Sequence, residues 1–554
     1  MYKMNKIIKI SIRYFNTSND RHINLNKIFL KDKYTTHSFS QILNISKCLS
    51  KNLLSNLNNK SDLNGDKIGV LCSNNYSYLC SILAIWMSNG VPFCLSKLYP
   101  DNLIDYFVND SKCKLIINGT DRKILSCNNY NLNESEFYKS SSMNFIKQEA
   151  IINDLKDIVF SNDRINKQKP ILLLYTSGTS GNKPKGCLIT YENLFSSIDM
   201  MIQTYKWSNN DKMLSTLPLN HYSGLVYTLL TPFFVGAQVN LMPKFDAKKV
   251  WSIILNDDVN MFIGVPTIYT QLCDYYYKNK HEFPNNIEHT LKQKMRLIAS
   301  GSAPLNVKTF NDWFDVTKYS IVERYGMTEI GMALSNSLDE NKRIGGTVGR
   351  PIGDVKVRLV DVENDEKVLI ESFKDDDIYY QDSNHLFGEL QIKGPNVFRE
   401  YLNKPDQTEI SFTKDGWFRT GDTAQFLTDL KVYKIVGRTS VDVIKSGGYK
   451  ISALDIEKEI LAHPLIDDVA IMGLSDSVWG QRVFALIVLK NSINDDKQKF
   501  DLVEFKKWCK TRLPKYSVPT LVKIIDKMPR NQLGKVIKKE LIKIYEQDKS
   551  ISKI

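Results

Sequence analysis

Short apolar runs alternate with segments of helical spacing along the first part of the chain. Residues 66–72 (DKIGVLC) predict a buried strand, and residues 78–90 (YLCSILAIWMSNG) have the spacing of an apolar helix that ends in glycine. Residues 91–96 (VPFCLS) predict a second strand, residues 102–111 (NLIDYFVNDS) a second helix and residues 114–119 (KLIING) a third strand. Strands that alternate with helices form parallel sheets covered on both faces. The pattern therefore predicts an α/β fold.

The same alternation returns after residue 151 and continues to about residue 360. Residues 362–387 are acidic and polar, and they predict a surface insertion in a more β-rich part of the molecule. The chain has 554 residues, roughly three to four times the usual length of a domain, so it can bury more than one core. A mini-protein and a lone binding module are excluded.

Composition narrows the class of protein further. With 42% hydrophobic and 24% charged residues the chain is globular rather than disordered. Its nine cysteines include no C-x-x-C pair, which argues against a disulfide framework or a structural zinc site and for a reducing compartment. The longest apolar run, residues 225–242, is interrupted by Pro232, Gln238 and Asn240, so it is too broken to cross a bilayer.

The first 20 residues differ from the rest of the chain. Four cations, Lys3, Lys6, Lys9 and Arg13, precede the first acidic residue and would share one side of a helix. An amphipathic, acid-poor start that contains hydroxyl residues is typical of a mitochondrial transit peptide. The chain is rich in Lys, Asn and Ile throughout, so composition alone can also produce such a stretch, and the protein would then be cytosolic. We predict a transit peptide and a mitochondrial matrix protein.

A loop that carries chemistry follows an apolar strand in the sequence LLLYTSGTSGNKPKG, residues 172–186. Glycines let backbone N–H groups turn toward one anion, hydroxyls add donors and lysine supplies countercharge, so the loop predicts a polyphosphate site. A flexible linker would not follow an apolar strand, and the Walker pattern G-x-x-x-x-G-K-[ST] cannot be matched. The candidate phosphate-binding residues are Thr176, Ser177, Gly178, Thr179, Ser180, Gly181, Lys183 and Lys185.

This loop resembles the phosphate-binding loop of the adenylate-forming superfamily, which comprises acyl-CoA synthetases, luciferases and the adenylation domains of peptide synthetases. Seven further motifs follow in the order and spacing of that superfamily, and the resemblance covers about residue 30 to about residue 545. They are LPLNHYSGL (217–225), GVPTIYT (264–270), SGSAPL (300–305), ERYGMTE (323–329), WFRTGD (417–422), GRTSVDVIKSGGYKIS (437–452) and PRNQLGK (529–535).

The resemblance implies a large N-terminal domain, residues 21–437, of parallel and mixed sheets covered by helices with a β-rich subdomain. A small, mobile α+β domain, residues 438–554, would follow it. The hinge between them would lie at Ser440, where relatives usually have Asp or Lys. Such a two-state hinge occupies few residues.

The resemblance also implies an enzyme that uses ATP, Mg²⁺ and coenzyme A. A carboxylate attacks the α-phosphate of ATP, pyrophosphate leaves, and a thiol then attacks the acyl-adenylate. Glu329 would hold Mg²⁺ against the β- and γ-phosphates, and Thr328 would reach the α-phosphate. Asp422 and Arg438 would bind the ribose. The adenine would be flanked by Ser302 and Tyr325.

The resemblance also implies roles for residues of the last two motifs. Lys535 would bridge the carboxylate and the phosphate during adenylation, where a point charge suits lysine. Lys445, Gly447 and Gly448 would lie on the face that swings toward the adenylate, and the glycines would admit the pantetheine arm of CoA. The phosphate loop carries one residue more than is common between its last glycine and its proline, which leaves open whether Lys183 or Lys185 reaches phosphate.

The identity of the acid is a separate question, because all these nucleotide motifs are shared across the superfamily. The sequence around them is most similar to that of malonyl-CoA synthetases, including the mitochondrial member of the acyl-CoA synthetase family, so malonate or methylmalonate is expected. A second carboxylate requires a short pocket with a cation or several donors. His221 would border this pocket rather than act as a base, because a carboxylate nucleophile needs no deprotonation. The candidate pocket residues are His221, Tyr222, Ser223, Arg296 and Met327, with Arg296 as the cation.

Three alternatives remain at this point. A short- or medium-chain fatty acyl-CoA synthetase would have an apolar tunnel without a buried cation. A catalytically inactive homologue retained for binding is opposed by the intact motifs. A carrier-protein ligase would need a carrier segment, and only about 19 residues follow Lys535.

The distribution of charge narrows the class of partner. The net charge is +13; residues 438–554 hold 22 Lys+Arg against 15 Asp+Glu, whereas residues 20–437 hold 48 against 46. The excess therefore lies in the N-terminal segment and in the small domain that must meet the phosphates of ATP and CoA. This position favours small-molecule substrates over nucleic acid and gives no reason to expect membrane insertion.

Overall fold

The structure, a computed structural model, describes residues 26–33, 35–58, 61–124, 126–132, 167–176, 184–305, 307–364, 366–374, 376–379, 386–439, 441–447, 449–490, 500–530, 536–546, 548 and 551–553. The strands in chain order are β1 Ile28–Lys31, β2 Thr36–Ser38, β3 Lys67–Leu71, β4 Val91–Cys94, β5 Leu115–Asn118, β6 Asn129–Asn131, β7 Pro170–Tyr175, β8 Gly186–Thr190, β9 Lys212–Ser215, β10 Gln238–Leu241, β11 Met261–Gly264, β12 Leu297–Ser300, β13 Val322–Met327, β14 Gly331–Ser335, β15 Arg350–Pro351, β16 Lys356–Val360, β17 Val368–Phe373, β18 Asp376–Tyr379, β19 Leu386–Lys393, β20 Glu400–Tyr401, β21 Phe418–Leu427, β22 Val432–Arg438, β23 Val443–Ser446, β24 Tyr449–Ser452, β25 Ile466–Asp476, β26 Gly480–Leu489, β27 Leu521–Ile525 and β28 Ser552–Lys553. The α-helices are α1 Phe39–Asn56, α2 Tyr76–Met87, α3 Asp101–Ser111, α4 Tyr191–Thr204, α5 Thr231–Val235, α6 Ala247–Asn256, α7 Pro266–Lys278, α8 Ile287–Lys294, α9 Val307–Thr317, α10 Pro405–Ser411, α11 Ala453–Ile460, α12 Leu502–Arg512 and α13 Lys538–Tyr545, and a π-helix, Ser223–Leu230, precedes α5.

The predicted alternation of strands and helices is confirmed in a seven-stranded sheet with the order β20-β8-β7-β4-β3-β5-β6. β3 pairs in parallel with both β4 and β5, and α2 and α3 form the crossovers. Ile68, Phe93 and Ile116 are fully buried, as expected for strands covered on both faces. The antiparallel pair β7 and β8 brings the two ends of the candidate phosphate loop together.

A nine-stranded sheet of order β15-β14-β13-β12-β11-β9-β10-β1-β2 forms the second layer. β10, β9, β11, β12 and β13 run parallel, so their carboxyl ends share one edge. Ligands of open parallel sheets bind outside the carboxyl ends of the strands. This edge therefore positions the candidate site.

The third sheet is antiparallel and has six strands in the order β18-β17-β16-β19-β21-β22. It corrects the interpretation of residues 362–387 as a surface insertion, because β17 and β18 lie within this segment and β17 pairs with β16 along its length. Leu369 and Ile370 are buried in the core. Because acidic residues flank this apolar strand, the composition of the segment did not indicate a strand.

The last sheet has the order β24-β23-β26-β27-β28, with β25 paired to β26. Two hydrophobic clusters, which take alternate residues of β25 and β26 and so lie on opposite faces of this sheet, draw only on residues 444–551, which supports a separate C-terminal domain. Lys538, 9% exposed, contacts the carboxylates of Asp442 and Glu457. Because a buried charge is costly unless paired, these contacts hold the start of α13 against the segment that follows β22.

Local sequence explains where several helices begin. Ser38 accepts a hydrogen bond from the Gln41 N–H, and Gln41 Oε1 accepts one from the Ser38 N–H, which is a complete capping box for α1. Thr190 and Asn193 form the same arrangement at α4. Most of residues 225–242 lie in the π-helix, α5 and β10. Within the described ranges, no helix combines the length and the apolar character that a membrane crossing requires.

Candidate active site

The site lies at the carboxyl ends of the parallel strands. His221, Tyr222 and Ser223 follow β9, and Ser302 follows β12. Ser302 Oγ lies 3.2 Å from Ser223 Oγ, so the two loops meet. Ser302 has a φ of +68°, a conformation that non-glycine residues rarely adopt and that is often retained where function requires it.

The base of the candidate phosphate loop is closed by main-chain contacts. The Thr176 N–H donates to the Lys185 carbonyl at 2.9 Å, and the Lys185 N–H donates to Thr176 Oγ1 at 3.4 Å. The loop thus joins two antiparallel strands, unlike a Walker loop, which joins a strand to a helix. The residues between its described ends, Ser177, Gly178, Thr179, Ser180, Gly181 and Lys183, lie outside the described part of the chain.

The candidate metal ligand Glu329 lies in a buried polar cluster beside this loop. Its Oε1 accepts a hydrogen bond from the Tyr401 hydroxyl at 2.9 Å, and the Lys185 ammonium is 3.8 Å from the centroid of the Tyr401 ring. Burial raises the pKa of the Glu329 carboxyl, while the Tyr401 hydroxyl and the Lys185 charge oppose that rise. Burial likewise lowers the pKa of Lys185, and the Glu329 carboxylate opposes that shift.

One buried carboxylate is a suitable protein contribution to a magnesium site of this kind. Mg²⁺ on a nucleotide usually takes one or two carboxylates together with phosphate oxygens and water, rather than an all-protein cage. Among the described residues, no group of three or more His, Cys, Asp or Glu side chains could hold a metal by itself. Glu329 therefore fits a Mg²⁺ that arrives with ATP. Thr328, adjacent to Glu329 and half-buried, lies in the turn that joins β13 to β14.

The candidate ribose-binding residues form a second cluster. Asp422 on β21 and Arg438 on β22 are direct neighbours across the two strands, with Arg438 Nε 3.0 Å from Asp422 Oδ1. The Tyr325 hydroxyl donates to Asp422 Oδ2 at 2.6 Å. A carboxylate can accept several hydrogen bonds, which a residue that binds the hydroxyls of a ribose requires. Tyr325 thus joins Asp422 and Arg438 in one cluster.

The candidate acyl-pocket wall is formed by the π-helix and the loop before it. Tyr222 is buried, His221 and Ser223 are half-buried, and Met327 lies at the end of β13. Gly224 is required here, because a Cβ at this position would stand 2.1 Å from the Pro218 carbonyl oxygen. The wide turns of a π-helix are frequent at functional sites. His221, Tyr222, Ser223 and Met327 are brought to the same edge as Ser302.

The assignment of Arg296 to this pocket is wrong. Arg296 precedes β12 and lies at its amino end, whereas Ser302 lies beyond its carboxyl end. Its Nε and Nη2 each donate to Asp211 at 2.6 Å, and its Nη1 donates to the Tyr205 carbonyl at 2.7 Å. Arg296 is therefore paired with a buried carboxylate at the edge of the sheet opposite to the candidate pocket.

Arg324, on β13, is a buried cation that was not among the residues predicted for this pocket. It is 6% exposed; its guanidinium carbon lies 4.7 Å from the Tyr227 ring centroid, and its Nη1 lies 3.7 Å from Met332 Sδ. A Cβ on Gly301, next to Ser302, would lie 3.2 Å from Arg324 Nε, so this side chain adjoins the pocket wall. Among the described residues, no Asp or Glu oxygen lies within 4.0 Å of the Arg324 guanidinium, the limit for a salt bridge. In the sequence, only the position of Arg324 inside the motif ERYGMTE indicated that it lies near the site.

The C-terminal candidates lie on a different surface. Lys445 Nζ is 3.6 Å from Glu363 Oε1, and Gly447 has a φ of +55° and donates its N–H to the Trp479 carbonyl. A Cβ on Gly447 would stand 2.8 Å from the Trp479 ring, which explains the glycine. Lys445 therefore contacts Glu363 rather than Lys185 or Glu329 at the base of the candidate phosphate loop. Ser440, Gly448 and Lys535 lie outside the described residues.

Comparison with known proteins identifies the family. Residues 17–402 match the model of the AMP-binding enzyme family, and residues 455–535 match that of the AMP-binding enzyme C-terminal domain. The chain belongs to the AMP-binding enzyme family. Both the predicted α/β fold and the resemblance to adenylate-forming enzymes are thereby confirmed.

Particular relatives are malonate ligases. The chain is 38% identical over 539 residues to the mitochondrial malonate–CoA ligase ACSF3 of Mus musculus, covering 93% of this chain and 88% of that protein. It is 32% identical to the malonate–CoA ligase of Arabidopsis thaliana, covering 94% and 86%. A malonyl-CoA ligase in a ternary product complex with methylmalonyl-CoA and AMP superposes with a TM-score of 0.61 at 27% identity, covering 91% and 97%. ATP-bound MatB from Rhodopseudomonas palustris has the same fold, with a TM-score of 0.78 at 24% identity and coverage of 98% and 99%.

Proposed function

We propose that the protein is an ATP-dependent malonate–CoA ligase that releases AMP and pyrophosphate and also accepts methylmalonate. The observation that carries the acid specificity is Arg324, a buried guanidinium with no carboxylate of the described chain beside it. A buried charge without a counter-ion is costly, so the site is complementary to an anion. Malonate supplies that anion as its second carboxylate. A fatty acid has an apolar tail in place of this second carboxylate.

The malonate carboxylate that reacts would then face the nucleotide cluster. Its oxygen attacks the α-phosphorus of ATP, the bond to the bridging oxygen breaks, and pyrophosphate leaves. Thr176, Lys185 and Thr328 would bind phosphate oxygens, and Asp422 and Arg438 would bind the ribose. Glu329 would hold Mg²⁺, which neutralises phosphate charge when it is bound. Among the described residues, Lys185 is the loop lysine next to Glu329.

The C-terminal domain would complete both half-reactions. Lys535 would stabilise the charge between carboxylate and phosphate, and rotation about Ser440 would then bring Lys445 and the Gly447 loop to the adenylate. The CoA thiol would lose its proton and attack the acyl carbon, which forms malonyl-CoA and releases AMP. The domain limits proposed for this cycle are residues 21–437 and 438–554.

A panel of acids tests the proposal. Pyrophosphate release is measured with malonate, methylmalonate, acetate and octanoate, with and without CoA. We expect malonate to give the highest kcat/KM and CoA to be required for sustained turnover. Preference for octanoate would indicate a fatty acyl-CoA synthetase, turnover with a carrier protein but not CoA would indicate a carrier-protein ligase, and no turnover with any acid would indicate a binding protein.

We also propose that the protein works in the mitochondrial matrix. Support comes from the four cations and the absence of acids in residues 1–19, and from the mitochondrial designation of the relatives in Mus musculus, Bos taurus and Homo sapiens. A small anionic substrate is compatible with both the mitochondrial matrix and the cytosol. The N-terminal segment itself must therefore be tested.

Fusion of residues 1–25 to a fluorescent reporter tests the compartment. We expect the reporter to accumulate in mitochondria, because transit peptides depend on a basic amphipathic helix. The matched control replaces Lys3, Lys6, Lys9 and Arg13 by glutamine in the same fusion and is expected to stay in the cytosol. A diffuse signal from the unaltered fusion would refute the targeting proposal.

A further inference from the structure

Tyr401 joins the two charged groups at the base of the phosphate loop. It lies on β20, a two-residue strand that pairs antiparallel with β8, so that Tyr401 is opposite Cys187, two residues after Lys185. Its hydroxyl donates to Glu329 Oε1 at 2.9 Å, and its ring face lies 3.8 Å from Lys185 Nζ. Tyr401 is 4% exposed.

The segment that carries Tyr401 holds Glu329 at a second point. The Phe398 N–H donates to the Glu329 carbonyl at 2.7 Å, and the rings of Phe398 and Tyr401 pack with centroids 4.7 Å apart. The Tyr401 N–H in turn donates to Thr408 Oγ1 at 3.0 Å. Glu329 is therefore fixed through both its main chain and its side chain by residues 398–401, which are far from it in sequence.

The two contacts of the phenol have different chemical consequences. A hydroxyl that donates to one carboxylate oxygen limits rotation of the carboxylate and leaves its other oxygen for a cation. A ring face attracts an ammonium through the quadrupole of the ring without consuming its N–H donors, so Lys185 keeps those donors for phosphate. One side chain thus contacts both the anion and the cation of the candidate phosphate site.

We propose that Tyr401 is a positioning residue for the nucleotide site, whose hydroxyl orients Glu329 toward the metal and whose ring holds Lys185 toward the phosphates. The proposal deepens the proposed function and rests on its ATP and Mg²⁺ site, but not on the identity of the acid. A purely structural tyrosine would support the core equally well without affecting metal binding.

Binding measured without any acid substrate separates these roles. Mn²⁺ serves as the metal probe by electron paramagnetic resonance in the presence of ATP, and ATP binding is measured by calorimetry with and without metal. In Tyr401→Phe we expect Mn²⁺ binding to the enzyme–ATP complex to weaken by about tenfold, because a hydrogen bond to a charged group is lost. Metal-free ATP binding should stay unchanged, since the ring over Lys185 remains. In Tyr401→Leu both should weaken.

The matched control is Tyr433→Phe. Tyr433 is fully buried and its hydroxyl lies 2.6 Å from Ser372 Oγ in the antiparallel sheet, so this variant also loses a buried phenol hydrogen bond. It should bind Mn²⁺ and ATP as the unaltered protein does. If Tyr401→Phe binds Mn²⁺ normally, or weakens it no more than Tyr433→Phe does, Tyr401 has no positioning role. If the unaltered protein itself fails to bind Mn²⁺ with ATP, both this inference and the proposed function fail.

Discussion

Replacement of Arg324 by methionine is expected to lower kcat/KM for malonate by about 10²- to 10³-fold. Removing one partner of a buried charge pair costs about 2–5 kcal/mol, because the other charge then stays in a poorly solvated site without a partner. Methionine retains much of the volume of the arginine stem, so the site beside Tyr227 stays filled. The measurement is steady-state pyrophosphate release over a range of malonate concentrations.

Activity toward a monocarboxylic acid should respond differently to this change. Octanoate has no second carboxylate, so Arg324→Met should leave its turnover unchanged or raise it as the pocket becomes apolar. The matched control is Arg296→Met, which removes an arginine paired with Asp211 at the opposite edge of the sheet. That variant should unfold at a lower temperature while KM for malonate stays the same. A larger rise of the malonate KM in Arg296→Met than in Arg324→Met would contradict our site.

Replacement of Lys535 by alanine is expected to abolish formation of the acyl-adenylate and to spare the second half-reaction. Charge develops between the carboxylate and the α-phosphate as the new bond forms, and removal of one preorganised group that stabilises such charge costs about 10²- to 10³-fold in rate. In the proposed cycle the thiol attack on a supplied adenylate uses the other domain arrangement, so it should proceed at nearly the normal rate. Both half-reactions are followed separately, by pyrophosphate release and by thioester formation from synthetic malonyl-adenylate.

A nearby lysine supplies the control for this variant. Lys539 is exposed near the start of α13, so Lys539→Ala changes the net charge by the same amount without reaching the nucleotide. Lys538 is unsuitable, because it is buried against Asp442 and Glu457 and its loss would disturb the domain itself. Equal loss of both half-reactions in Lys535→Ala would overturn the assignment.

Much of the fold was predictable because local pattern and tertiary environment agree. Strands such as β3 to β5 are buried on both faces, so each one has a short, continuous apolar run. The helices between them begin and end at recognisable residues. Residues 362–387 do not show such a continuous apolar run. Their strand β17 forms part of an antiparallel sheet, and its apolar positions lie among acidic neighbours.

Motifs in the sequence nominate candidate site residues but do not show which of them meet in space. Glu329, Asp422 and Arg438 were predicted from three separate motifs, and the structure brings Asp422 and Arg438 together across β21 and β22. Arg296 and Arg324 could not be distinguished by sequence, since each adjoins a strand of the same parallel sheet. Which end of a strand faces the ligand decides between them, and that depends on strand order and direction.

The amino-acid sequence by itself determined the α/β class and the class of adenylate-forming ligase, and it predicted a phosphate loop, because short motifs and apolar periodicity are local properties. Only the tertiary structure decided which arginine lies beside the candidate acyl pocket and which side chain joins Lys185 to Glu329. The physical reason is burial: Arg296 is neutralised by Asp211, whereas Arg324 is enclosed beside Tyr227 without a carboxylate of the described chain. Tyr401 acquires its contacts through pairing of strands that are distant in sequence.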